Sequence, residues 1–462
     1  MKRKKTLFLI LSFFISSCSF NLDNIFKDNN SESEAESPSE SSQNSFLESS
    51  NESSESSFTT SNTTDSSEII EENAIIENYM FDNFQIHFME LGVYNTGDST
   101  YIKAGDLDIL IDAGAKEASA ETIISYVNKY CTDGKLEYVI TTHAHTDHFT
   151  GMFGNSKKTL NYKGEEVDRT GILYYYDIGT IIDFSLTNSK STATSTNYGK
   201  YLVAVDYAVS KGATHYSAAQ CFNEEDGAQR KYVLDENNNI TMNILYNKYY
   251  FENSSDENNY SVCTLFSYND LNFLLTGDLE KSGEEALANY YDGSSDDKTL
   301  PHCKLFKAGH HGSRTSSNDI LLNKITPEIC CICCCAGGSE YTNNSDNTFP
   351  TQDFIDRIAK YTDRVYATSY IDEIETRETN TFVFKPLNGT ITVSSNGIGI
   401  GLMATNNLIK LKDSEWFNEF VYLDDNGFIC SGKGKKDFYT IDSPDVIGVP
   451  RRVWPNYEEI VE

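Results

Sequence analysis

Thr141-Thr142-His143-Ala144-His145-Thr146-Asp147-His148 decides how this chain is read. Three imidazoles and one carboxylate fall within six residues, directly after the apolar run from Leu136 to Ile140. A short apolar run of this kind reads as a strand, so the cluster closes a strand at its carboxyl end. Residues two apart on an extended backbone share a face, and His143 and His145 therefore aim the same way. Asp147 and His148 lie where the chain must turn and can reach a second position. Imidazole and carboxylate together suit zinc, manganese or iron. The spacing builds two adjacent cation positions from one loop.

Working outward, Phe84 to Leu91 is strand-like. Thr100 to Lys103 and Leu107 to Ile111 read as a strand pair turning at Ala104-Gly105-Asp106, and the second ends in Asp112-Ala113-Gly114. Glu121 to Tyr130 has helical texture. Downstream, Phe273-Leu274-Leu275-Thr276-Gly277-Asp278 is an apolar strand ending in Gly-Asp. Lys304 to Ala308 is another, ending in Gly309-His310-His311-Gly312-Ser313. Five of the eight histidines lie in these two His-bearing loops. A carboxylate closing one strand can bridge two cations, and a His closing the next can complete the second site.

In this order the motifs resemble the metallo-β-lactamase superfamily, and within it the hydrolase domain of ComEC-type competence proteins. The resemblance covers about residues 84–400. It rests on Gly97-Asp98-Ser99, Ile111-Asp112-Ala113-Gly114, the His-rich loop, Asn258-Asn259-Tyr260-Ser261, Leu275-Thr276-Gly277-Asp278-Leu279-Glu280 and Gly309-His310-His311-Gly312-Ser313-Arg314-Thr315-Ser316-Ser317. It implies an α/β fold, the αββα sandwich with its metals at one edge, and two divalent ions, zinc or alternatively manganese. It implies His143 and His145 on the first ion and Asp147, His148 and one of His310 and His311 on the second, with Asp278 bridging. His310 is favoured as that ligand, with His311 behind it or facing substrate. There are two departures. Where many members carry a further His before the bridging Asp, this sequence has Asn259 or Ser261; His215 is read as a packed or solvated residue instead. Where competence-type domains commonly carry His-Pro, it has Phe349-Pro350.

Paired cations activate a shared water and clamp the oxygens of an in-line displacement. Asp147 would orient that nucleophile while binding a metal. Ser313 and Arg314 are suited to phosphate oxygens, and Ser313 equally to capping the following helix. The implied activity is metal-dependent hydrolysis, first of phosphodiester bonds in short nucleic acids, small molecules or cell-envelope polymers. Lactam, lactone or other ester hydrolysis is the alternative, and a binding lipoprotein that has lost turnover is the non-enzymatic one.

The 462 residues carry a formal charge of −32, and 39% are hydrophobic, enough to bury a core. Residues 81–462 hold −23 of that charge. Such a surface repels polyanions and argues against a stable nucleic-acid complex held in a broad basic groove. A monomer is expected. No nucleotide-binding glycine loop and no internal repeat stand out.

Lys2, Arg3, Lys4 and Lys5 precede a short apolar run, Leu7 to Ile15, too short to span a bilayer and typical of an export signal. Ile15-Ser16-Ser17-Cys18 comes next and resembles a bacterial lipobox, which implies acylation of Cys18 and anchoring on the extracellular face of the cell membrane. Residues 1–17 are thus the expected signal peptide. Residues 18–80, dominated by Ser, Glu and Asn, are the expected disordered stalk. Residues 81–400 are the expected hydrolase domain, and 401–462 a small extension of unassigned role, read as either a β-rich module or a wrapping tail. Between the metal loops, 152–257 reads as a long insertion. Its Tyr174-Tyr175-Tyr176 and Tyr249-Tyr250-Phe251 clusters are expected to pack. Cys330-Cys331-Ile332-Cys333-Cys334-Cys335 reads as a buried strand rather than a metal motif, because neighbouring thiols face opposite ways.

Overall fold

Four of the strands that precede the singled-out loops run parallel in pairs and finish at one rim. This is seen in a computed structural model that describes residues 71–92, 97–155, 160–162, 165–167, 170–338, 347–372, 383–423 and 447–457. The expected signal peptide, Cys18 and nearly all of the expected stalk lie outside the described residues. All described residues belong to one compact unit, Glu68–Glu462.

Two sheets make the body. The first has nine strands in the order Ile75–Glu77, Ile400–Ala404, Ile391–Ser395, Phe84–Phe88, Thr100–Ala104, Leu107–Ile111, Lys135–Thr141, Asp177–Asp183 and Thr214–Ser217. The second has eight, in the order Lys231–Asp235, Ile240–Ile244, Thr264–Tyr268, Leu271–Leu275, Leu305–Lys307, Ile329–Ala336, Val365–Ile371 and Phe384–Pro386. Alternation sorts each strand's side chains. Phe84, Ile86 and Phe88 face the second sheet and join Phe266, Phe273 and Leu275 in a core between the sheets. Helices Ser119–Val127, Thr146–Phe153 and Asn197–Ser210 cover the outer face of the first sheet through Ile123, Val127, Phe149, Met152 and Tyr201. Helices Lys281–Tyr290, Asp319–Ile325 and Gln352–Ile358 cover the second through Leu287, Leu322 and Phe354. This is the expected αββα sandwich.

The hairpin that starts it turns at Gly105, whose φ of +59° suits glycine. Leu107–Ile111 then pairs in parallel with Lys135–Thr141, setting Ile111 opposite Ile140. In the other sheet Leu271–Leu275 and Leu305–Lys307 are parallel, with Leu275 opposite Lys307. The Val262 N–H donates to the Thr142 carbonyl at 2.9 Å and stitches the two sheets at this rim.

Several boundaries differ from the expectation. Ile75–Glu77, inside the expected stalk, pairs in parallel with Ile400–Ala404, so the folded part begins before residue 81. The same strand crosses the expected border at 400, because Ile400 and Leu402 are needed in the inter-sheet core. The expected insertion is no separate body: Asp177–Asp183 and Thr214–Ser217 extend one sheet, Lys231–Asp235 and Ile240–Ile244 the other, and Leu160–Tyr162 pairs with Glu165–Val167 in a small hairpin. Tyr174, Tyr176 and Tyr250 are buried in it, as packing requires. The β-rich character expected of the C-terminal part is present as Phe420–Leu423 paired antiparallel with Ile447–Pro450.

The Cys-rich run is the strand Ile329–Ala336, buried throughout. Cys331 and Cys333 enter the inter-sheet core, while Cys330 and Cys334 enter the outer one. Burial pushes the Cys335 thiol up to about 12 and the others higher still, and a thiol so held is a poor nucleophile. A colorimetric thiol reagent at neutral pH should therefore find this run unreactive in the native protein and reactive after denaturation; rapid labelling of Cys330–Cys335 in the folded state would contradict the assignment.

Candidate metal centre

Asp112 closes the strand Leu107–Ile111 with a left-handed φ of +59°, which turns its carboxylate across to the neighbouring loop. Its oxygens accept the Thr142 N–H and the Thr142 hydroxyl, both at 2.8 Å, and face His148 Nδ1 at 2.8 Å. His148 Nε2 is thereby aimed at Asp278 Oδ2, 3.0 Å away. A carboxylate that fixes an imidazole in this way is a common support for a ligating histidine. His143 is handled similarly: Thr142 Oγ1 and Ser261 Oγ lie 3.1 and 3.4 Å from its Nδ1. Its Nε2 then faces His145 Nδ1 at 3.0 Å. Ser261 Oγ also accepts the Asp278 N–H at 3.0 Å. A Cβ on Gly277 would come within 2.9 Å of that hydroxyl, so the Gly-Asp pair needs its glycine.

His311 completes the group. Its Nδ1 donates to the Cys333 carbonyl at 2.8 Å, and its Nε2 lies 3.1 Å from Asp147 Oδ2 and 3.4 Å from Asp278 Oδ2. One ligand atom from each of Asp147, His148, Asp278 and His311 falls within 4.8 Å of the others. Beneath them Lys307 is buried and ion-paired with Asp98, with Asp278 Oδ1 4.0 Å away.

The charges do not balance. Asp98, Asp112 and Asp278 are fully buried and Asp147 is half-buried, and Lys307 is the one lysine or arginine paired with them among the described residues. Burial alone would depress His311, but Asp278 and Asp98 outweigh it and hold the imidazole up to about 10. His148 is likewise raised against its burial by Asp278, Asp112 and Asp147. Asp278 Oδ1 is buried and receives no hydrogen bond among the described residues. Excess negative charge, inward-facing imidazoles and an orphaned carboxylate oxygen are what a divalent cation satisfies, and these residues fit it.

Over residues 94–159 the sequence matches the Metallo-beta-lactamase superfamily. That match spans strands, helices and the His-rich loop from which part of the site is built. Over 55 residues it is 42% identical to the competence protein ComA of Neisseria gonorrhoeae, a stretch that is 12% of this chain and 7% of that protein. Among solved structures, the metallo-β-lactamase fold protein YhfI of Bacillus subtilis is similar at 8% identity and a TM-score of 0.34, covering 62% of this chain and 96% of that one. Human tRNase Z, short form, is similar at 11% identity and a TM-score of 0.27, covering 61% and 93%.

Domains of this fold usually hold two divalent metal ions, and this chain gathers His143, His145, Asp147, His148 and Asp278 at one rim. The expectation of His310 as the remaining ligand is corrected: His311 occupies that place. Both residues have left-handed backbone, φ +47° and +55°, and this tight turn sends consecutive rings apart. His310 turns its Nδ1 to Glu280 Oε1 at 3.4 Å and leaves its Nε2 4.0 Å from Asp278. Ser313 is corrected too. Its hydroxyl is buried, accepts the Thr315 N–H at 3.2 Å and neither opens to substrate nor caps a helix, since Asn318 stands at the next helix start. Arg314 is exposed and lines a surface depression of about 510 Å³ with Glu280, Lys281, Ser282 and Thr315. His215 pairs with Asp183 at 3.0 Å.

Sequence reasoning gave Asp98, Asp112 and Lys307 no role. A lysine closing the short strand Leu305–Lys307 was the available signal for the last. Removing its charge by Lys307→Met should destabilise the metal-free protein by about 3–5 kcal/mol, since buried Asp98 loses its partner. Denaturant unfolding measures this; a change near zero would show that Asp98 is compensated elsewhere.

Proposed function

We propose that the protein is an exported, lipid-anchored, metal-dependent phosphodiesterase. The observation that carries the hydrolase reading is the convergence of Asp147, His148, Asp278 and His311 within 4.8 Å, with His143 and His145 beside them. Bound divalent cations would supply Lewis acidity toward a phosphoryl oxygen and activation of a water.

The chain's own residues hold the frame for that chemistry. Asp112 and Thr142 fix the His148 ring, Ser261 fixes the Asp278 backbone and the His143 ring, and the Cys333 carbonyl fixes His311. Asp147 is the carboxylate of the cluster that still reaches solvent, so it faces an incoming substrate. Phe349 walls the site beside His310 and His311, at ring separations of 5.9 and 5.5 Å, and excludes water there. The depression lined by Arg314 and Lys281 adjoins Glu280 and Thr315, both bonded near His310. Glu280, Glu285 and Asp353 line it too, so Arg314 and Lys281 are offset there, and the phosphodiester reading is supported by the likeness to a competence protein rather than by this lining. The −23 charge of residues 81–462 supports small or short substrates and a monomer that forms no stable complex with long nucleic acid.

Loaded with zinc or manganese, the protein should hydrolyse bis-p-nitrophenyl phosphate and leave nitrocefin intact. Chelation and His145→Ala should each reduce turnover at least about 100-fold, the scale of losing a metal-ion contribution. Nitrocefin hydrolysis without phosphodiester hydrolysis would transfer the reading to lactams, and metal binding without any turnover would make the protein a binding lipoprotein.

The anchor rests on Ser16-Ser17-Cys18 after the apolar run. Full-length protein should partition with membranes and incorporate labelled palmitate, and Cys18→Ala should lose both. Palmitate labelling that survives the substitution would place any acyl group elsewhere.

A further inference from the structure

The C-terminal segment 451–457 reaches the wall of the metal centre. Arg452 is buried, at 6% exposure. It donates from Nη2 to the Thr348 carbonyl at 2.7 Å and the Thr348 hydroxyl at 2.8 Å, and from Nε to the Pro350 carbonyl at 2.8 Å. It therefore grips the chain on both sides of Phe349. Arginine is almost never buried without partners, and its planar fork suits several acceptors held at fixed angles.

The gripped turn is pressed on the two histidines. Thr351 N–H donates to the Gly312 carbonyl at 2.9 Å, and a Cβ on Gly312 would come within 2.8 Å of Pro350 Cβ. The Phe349 ring touches both imidazoles, and its backbone exchanges two 2.8 Å hydrogen bonds with Gly337 and Gly338, just past the strand whose Cys333 carbonyl holds His311. Further contacts keep the segment in place. Val453 N–H donates to Gln352 Oε1 at 2.8 Å while Gln352 Nε2 donates to the Val453 carbonyl at 2.6 Å. The Arg451 guanidinium lies 5.1 Å over the Trp416 ring, and Trp454 packs on Phe417 at 6.1 Å.

We propose that Arg452 is a positioning residue of the metal centre: it fixes the Phe349-Pro350 turn and, through the Phe349 ring, the orientation of His311. The C-terminal segment is then part of the hydrolase and not an appendage. The inference rests on the metal-centre reading and is independent of which ester is cleaved.

The test uses full-length protein loaded with Co²⁺, whose visible absorption reports ligand geometry. Arg452→Ala and Phe349→Leu should both change that spectrum, weaken Co²⁺ affinity on the order of 10-fold and lower kcat about 10- to 100-fold with KM roughly unchanged. Arg452→Lys keeps the charge without the fork and should stay close to Arg452→Ala. Were Arg452→Ala to misfold, Phe349→Leu and Gln352→Ala carry the same expectation, the latter with a smaller change. Folded variants with the wild-type spectrum, affinity and kcat would overturn the proposal while leaving the metal centre intact. Wild-type protein that binds no Co²⁺ would overturn the metal centre itself, and the positioning role with it.

Discussion

Buried negative charge is the constraint on which the rest of this molecule depends. Desolvating a carboxylate costs several kcal/mol, and Asp98, Asp112 and Asp278 are all deeply buried at one rim. Lys307 offsets part of this from below, and the surrounding aspartates push His148 and His311 toward the cationic form against their own burial. The arrangement persists because it is delivered by backbone that cannot easily move. Each aspartate closes or adjoins a strand fixed in register, and the two parallel pairs put Asp112, the His-rich loop, Asp278 and the His310-His311 turn at the same end. Two sheets packed face to face thus become a frame for a pit that favours cations.

Period and order are the properties that a sequence displays directly. The strands before the metal loops were legible from their apolar runs, and the Cys-rich segment was legible as a strand because alternation forbids its thiols from converging. The choice between His310 and His311 was not legible. It depends on two successive left-handed residues, which no propensity of histidine foretells, and the family motif alone leaves the pair ambiguous. Lys307 was hidden for a related reason: one charged residue at a strand end ordinarily points to water, and only Asp98, in the loop before the strand Thr100–Ala104, makes burial tolerable.

Boundaries failed where pairing was long-range. Nothing near Ile75 announces that it will lie beside Ile400, more than three hundred residues away, and a stalk-like composition continues almost to that strand. Residues 152–257 looked inserted because they separate two metal-binding loops in sequence. In space their strands cap the open edges of both sheets, Asp177–Asp183 and Thr214–Ser217 on one and Lys231–Asp235 and Ile240–Ile244 on the other. This segment widens the core, and on the first sheet it leaves the four-residue Thr214–Ser217 as an edge strand in place of a longer one, which suits an edge that must not invite association.

Two length scales of charge separate here. The −23 of residues 81–462 acts on an incoming polyanion as a whole, yet at physiological salt each exposed charge is screened within about 8 Å. The pit is different, since its charges are buried and poorly screened, and bound divalent cations would reverse its sign locally. Under the proposed function, a short anionic substrate would feel mainly that reversed local field once it is within reach. A long polymer must lay its remaining charges along the acidic surface. A phosphodiesterase of the kind proposed would therefore attract a single phosphodiester and repel a chain of them, a selectivity set by size that requires no pocket dedicated to rejection.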